Sequence, residues 1–223
     1  MNFFGHAALA ARHFAELTPK PSDAVLATLC AGAMLPDFVG MLRLSRPEPS
    51  DAVLARGVLF HHKSDEEFHE LAAFLSMSRE AFAWLSERGL PRGPARAVAH
   101  IGIEMLLDEA FATDPEARDA YRAALRLRLT PLIHFRVPPD AERLATLQQA
   151  LLARAETALG ASPEVVAERI RRTLAGRPRL ATDDAGQELL GHWVRTARPR
   201  VLAEGPMVFA ALRQRLANFG GAE

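Results

Sequence analysis

The chain has 223 residues and a mass of 24.4 kDa, is 49% hydrophobic and 24% charged, and balances 27 basic against 27 acidic residues. That composition belongs to a soluble globular protein and excludes disordered and collagen-like chains. A single cysteine, Cys30, excludes a disulfide-stapled secreted scaffold, so a reducing, cytoplasmic compartment is expected.

In chain order, the N-terminus is apolar, but its first positive side chain is Arg12, so it lacks the basic start of a signal peptide. The run Ala24 to Pro36, between Asp23 and Asp37, is shorter than the roughly 20 residues that span a bilayer, and no membrane helix is expected. Pro36 is expected to end one helix and open the next, with Asp37 at the bend. Helix starts are read at Ser50-Asp51, Ser78-Arg79-Glu80, Asp114-Pro115-Glu116, Ser162-Pro163-Glu164 and Thr182-Asp183-Asp184, where a side-chain oxygen can accept from free N–H groups. Gly89, Gly160 and Gly176 stand where a left-handed residue ends a helix, and Pro47, Pro49, Pro91, Pro131, Pro138, Pro139 and Pro199 mark breaks or turns. Helical periodicity dominates and no segment alternates with period two. The expected fold is all-α, a single compact domain of about eight or nine helices. A seam at Arg136–Asp140 separates a helical core, residues 1–135, from a basic C-terminal extension, residues 136–223, packed on it.

Charge is uneven along the chain. Residues 1–117 hold 10 Lys and Arg against 16 Asp and Glu, a net of −6, and residues 118–223 hold 17 against 11, a net of +6. The asymmetry reads most simply as solvated helix faces in an Arg-rich composition. Nucleic acid is not indicated, because no basic run is interleaved with aromatic residues. Trp193 and Phe209 read as core or as the face of a homodimer.

Six of the eight histidines fall within the first 100 residues. His61, Asp65 and His69 are spaced by four, as are His100, Glu104 and Asp108, so each set lines one stripe of a helix. Both stripes run through apolar sequence, and a buried carboxylate needs a cation or a proton. A divalent ion held between facing helices would satisfy them. The plainer alternative pairs Glu104 and Asp108 with Arg96 or Arg56 and makes His61 and His100 core residues that donate to carbonyls. His6 and Asp37 also interrupt apolar stretches, Asp37 having a helix-start role as its alternative. Cys30 reads as a core residue, and no phosphate-binding glycine loop, nucleophile elbow or dinucleotide fingerprint is found.

Four segments resemble, in order and spacing, the acyl carrier protein phosphodiesterase family: Asn2-Phe3-x-x-His6, Gly32-x-x-x-Pro36-Asp37-Phe38, Gly57-Val58-x-x-His61-x-x-x-Asp65 and Glu104-x-x-x-Asp108. The resemblance covers about residues 1–115. It implies an HD-like helical fold and a metal-dependent hydrolase that removes phosphopantetheine from acyl carrier protein with manganese or a similar ion. The chain departs from that pattern at His62, where the family has Arg, at His69, near a family Asp, and at Glu109, where the family has His.

The resulting expectation is a metal-dependent phosphodiesterase. Its metal ligands are His6, Asp37, His61, Asp65, His100, Glu104 and Asp108, and they hold manganese first, with iron, zinc or magnesium as alternatives. His61, His62, Asp65 and His69 form the catalytic group, one imidazole protonating the leaving oxygen, while Arg56 or an Arg of the basic half grips the substrate phosphate. The partner is a phosphoester, such as phosphopantetheinyl acyl carrier protein, with no membrane or nucleic acid. The alternative is a noncatalytic helical protein that docks a partner and carries its polar stripes as internal networks.

Overall fold

The computed structural model describes residues 1–158 and 162–220. Among them are nine α-helices: α1 (Phe3–Ala15), α2 (Asp23–Leu42), α3 (Ala52–His69), α4 (Ala72–Glu87), α5 (Arg92–Phe111), α6 (Pro115–Arg126), α7 (Pro139–Ala158), α8 (Pro163–Ala175) and α9 (Asp184–Arg215). The only strands described are the two-residue β1 (Glu48–Pro49) and β2 (Ile133–His134), paired antiparallel. The fold is all-α and a single domain, as the periodicity requires.

α1 is the axis of the core. Phe4, Ala7, Ala8, Leu9, Ala10 and Phe14 are all at most 2% exposed, the all-round burial of a helix enclosed by others, here α2, α3, α5 and α6. α2 and α3 pack more closely than side chains permit. A Cβ on Gly32 would lie 2.3 Å from the Leu54 carbonyl oxygen, and one on Gly57 would lie 2.3 Å from that of Leu29, so the two helices touch backbone to backbone.

Several helix starts behave as their residues dictate. Asp51 accepts from the Leu54 N–H, Asp114 from Glu116 and Asp183 from Gly186, and Ser162 takes the cap position of α8. Ser78 is a correction. α4 begins six residues earlier, at Ala72, because its buried face of Phe74, Met77, Ala81 and Leu85 runs straight through that position. Gly89 takes the left-handed conformation at φ +93°, whereas Gly176 ends α8 at φ −74°, so no left-handed residue is needed there. Gly160 lies outside the described residues.

Pro36 and Pro199 break nothing. Pro36 sits inside α2, where its ring leaves the carbonyl four residues back, that of Gly32, without an intrahelical donor; the Gly32–Gly57 contact on one side and buried Phe38 on the other hold the helix in line. Because α2 continues through Pro36, it reaches 20 residues with a window of mean hydropathy 1.8, long and apolar enough by length and composition to cross a membrane. Half of that window is buried within the protein, against α1, α3, α6 and α7, which is the place of a core helix. Pro199, with Pro206, lies inside the 32-residue α9, whose buried Trp193, Val194, Val201, Val208 and Leu212 pack on the rest of the protein, chiefly α5 and α8. Trp193 belongs to this core at 2% exposure, lying over Gly102 of α5, and Phe209 packs on Phe111 with ring centroids 5.0 Å apart.

α9 also links the two halves by charge. Arg198 forks onto Glu109 of α5, Arg200 pairs with Glu80 of α4, Arg213 with Glu16 after α1, and Arg215 with Glu67 of α3. Part of the basic half is thus spent on the acidic half, while Arg143, Arg171, Arg172 and Arg195 pair with carboxylates of their own half. Glu109, where the resembling family has His, faces α9.

Candidate metal centre

Four helices bring the polar stripes together: α1 supplies His6, α2 Asp37, α3 His61, Asp65 and His69, and α5 His100 and Glu104. They form two compact groups. In His6, Asp37 and His61, one ligand atom from each lies within 4.8 Å of the other two, and His69, His100 and Glu104 do the same.

In the first group the tautomers follow from the hydrogen bonds. The Ser64 hydroxyl donates to the His61 carbonyl, 3.0 Å away, so its oxygen must accept from His6 Nδ1 at 2.8 Å, and His6 Nε2 is left as a bare lone pair. The Ala33 carbonyl can only accept, so His61 Nδ1, 2.8 Å from it, carries the proton and His61 Nε2 is likewise bare. An imidazole whose outer nitrogen donates to a carbonyl or hydroxyl has the orientation of a metal ligand. The Gly32–Gly57 contact sets this up, since it brings the α2 backbone at Ala33 within reach of His61.

Burial fixes the protonation states. It lowers the His6 pKa to about 4 and that of His61 to about 3, so both are neutral near pH 7, and it pushes Asp37 up to about 7. Among the described residues, His6 Nε2 and Asp37 Oδ2 are buried without a hydrogen-bond partner. Lone pairs turned on one another in a buried site leave a position that suits a cation or a proton donor.

The second group lies nearer the surface, with the His69 side chain 33% and that of His100 45% exposed. His69 Nδ1 donates to the Asp65 carbonyl at 2.9 Å, which directs Nε2 to His100 Nε2 at 3.3 Å and Glu104 Oε1 at 3.4 Å; His100 Nε2 lies 3.2 Å from the same oxygen. Asp65 stands between the groups, Oδ1 3.7 Å from His6 Nε2 and Oδ2 3.4 Å from His69 Nδ1. Asp65 and Glu104 raise His69 to about 9. Burial opposes ionisation of both carboxylates, yet the neighbouring imidazoles and the Met1 ammonium hold each well below the usual range. That ammonium lies 2.9 Å from Glu104 Oε1 and 3.9 Å from Asp65 Oδ1.

Three expectations change. Arg56 does not join the cluster: it lies over the Phe14 ring, 5.2 Å from its centroid, and against Gly220. Neither it nor Arg96 pairs with Glu104 or Asp108; the Met1 ammonium takes Glu104, and Asp108 accepts from the Gly5 N–H at 3.1 Å. Asp108 falls outside both compact groups and braces the first turn of α1, its carboxyl pushed well up by burial. A Cβ on Gly5 would lie 2.6 Å from Asp108 Oδ1, so only glycine admits it. His62 is exposed beside His61, ring centroids 5.4 Å apart, on the stripe that leads to Asp65 and His69. Sequence reasoning passed over Ser64 and the Ala33 carbonyl; Ser64, three residues after His61 and buried, was accessible from helical spacing, whereas the carbonyl was not. No protein-family model, no curated protein and no solved structure matches this chain.

Proposed function

We propose that the protein is a metal-dependent hydrolase acting on phosphoesters, a phosphodiesterase whose substrate is a phosphopantetheinyl carrier protein or a related molecule. One observation carries the reading: His6 Nε2 and Asp37 Oδ2 are buried without partners beside a His61 whose own proton is committed to the Ala33 carbonyl. Two neutral imidazoles and carboxylate oxygens suit manganese, iron, zinc or magnesium. A bound divalent ion supplies a polarised phosphoryl oxygen and a water of lowered pKa.

The chain's own residues do the rest. Ser64 and Ala33 orient His6 and His61, and Asp65, 39% exposed, lies where the buried group opens toward solvent. His62, on the exposed side of α3, is placed to pass a proton to a leaving oxygen. Arg56 is turned away and Arg198, Arg200, Arg213 and Arg215 of α9 are held in ion pairs, so none of these five grips the phosphate.

The test is metal content by plasma mass spectrometry, with hydrolysis of a simple aryl phosphodiester and of phosphopantetheinyl carrier protein, for the wild type and Asp65→Ala. The expected result is bound metal and turnover in the wild type and loss of turnover in the variant at unchanged helicity. Full turnover in Asp65→Ala, or no metal after incubation with each ion, overturns the assignment.

A further inference from the structure

We infer that His69, His100 and Glu104 form a second divalent-cation centre, separate from the His6–Asp37–His61 group and joined to it through Asp65. The inference rests on the metal-centre reading above and adds the number of ions and the ligands of each.

The spacing of the atoms supports it. An ion about 2.1 Å from each of three ligands in tetrahedral geometry separates them by about 3.4 Å. His69 Nε2, His100 Nε2 and Glu104 Oε1 form a triangle with sides of 3.2, 3.3 and 3.4 Å. Once the protons on the two Nε2 atoms are displaced, such a triangle is one face of a coordination shell. As in the first group, His69 Nδ1 gives its hydrogen to a neighbouring oxygen, here the Asp65 carbonyl, so that Nε2 points at the ligand position. The Met1 ammonium, 2.9 Å from Glu104 Oε1, would have to yield that oxygen to an ion. The two groups are distinct because no ligand atom is shared between them, while Asp65 turns one carboxylate oxygen to each. With three protein ligands and two partly exposed imidazoles, the second centre keeps open positions toward solvent, where a substrate oxygen arrives.

The competing account is a proton shared among His69, His100 and Glu104 with no ion. Calorimetric titration of the metal-free full-length chain with Zn2+, repeated with Mn2+, separates the two, using Asp37→Asn and His100→Ala as variants and circular dichroism to confirm folding. The His100 side chain is 45% exposed, so its truncation leaves the core intact. Two equivalents in the wild type, falling to one in each variant with affinity for the lost ion down by at least about 100-fold, is the expected result. One equivalent that survives His100→Ala and disappears in Asp37→Asn overturns the second centre and leaves the proposed function standing. One equivalent lost in both variants overturns it in favour of a single shared site, and no binding in the wild type overturns both readings.

Discussion

Replacing Asp37 by Asn gives a prediction whose sign depends on metal. In the metal-free protein, burial raises the Asp37 carboxyl from 3.8 to about 7. A raised acid pKa means that the unfolded chain releases its proton first, so native stability falls as pH rises from about 4 to about 7 and stays low above that. At about 1.4 kcal/mol per pH unit, the wild type forfeits about 4 kcal/mol by pH 8. Asn cannot ionise, but its buried amide lacks the partner that Asp37 Oδ2 also lacks, at a cost of about 1–3 kcal/mol. The chelated variant should therefore be about 1–3 kcal/mol more stable than the wild type at pH 8, and the gap should close by pH 5. With an ion at about 100 times its dissociation constant for the His6–Asp37–His61 group, the wild type gains about 2.7 kcal/mol there that the variant does not, so the order narrows or reverses. Urea unfolding followed by circular dichroism at the two pH values, with chelator and with Mn2+, reads all of this. A variant less stable than the wild type in chelator at pH 8 would show that Asp37 is satisfied without an ion, and would refute the reasoning.

Gly57→Ala should cost about 1–3 kcal/mol and weaken metal binding, since its methyl meets the Leu29 carbonyl oxygen, whereas Gly40→Ala, also helical but with open space around it, should stabilise by up to about 1 kcal/mol; urea midpoints and metal titration check both. Arg198→Ala, which strands the nearly buried Glu109, should cost about 1–3 kcal/mol, and Arg213→Ala, an exposed pair, less than about 1; equal losses would mean that burial does not set their worth. Burial raises the Cys30 thiol to about 12, so a thiol reagent at pH 8 should modify it only on unfolding, and rapid labelling of the native protein would contradict the packing around α2.

The helices that sequence reasoning placed well are those with a chemical start, such as Asp51, Asp114 and Asp183, because a capping oxygen acts within three residues. It misplaced what depends on packing at a distance. Pro36 and Pro199 carry the local signature of a break, but each lies in a helix whose neighbours on both sides are fixed by other helices, and tertiary burial outweighs one lost hydrogen bond. The same division holds at the site. His61, Asp65 and His69, and His100 and Glu104, share helical stripes by spacing alone, and the structure turns the two stripes toward one another. Asp108 continues the second stripe by the same arithmetic yet is claimed by the Gly5 N–H, a contact 103 residues away in sequence. Arg56 has the right charge, but Phe14 and Gly220, both distant in sequence, decide where its guanidinium lies.

The contact between Gly32 and Gly57 bears on ion size. Asp37 lies five residues beyond it on α2 and His61 four beyond it on α3, so both project from a junction where two backbones already touch. Helices in that state cannot move closer, and moving apart would break the His61–Ala33 hydrogen bond. The opening between the two side chains therefore has a fixed width. An ion with bonds of about 2.0–2.2 Å and few ligands fits a rigid mouth, whereas calcium, with bonds of about 2.3–2.6 Å and six to eight oxygens, needs one that yields. On the proposed metal reading, selection against calcium would originate in two residues that never touch the ion and whose whole contribution is the absence of a methyl group.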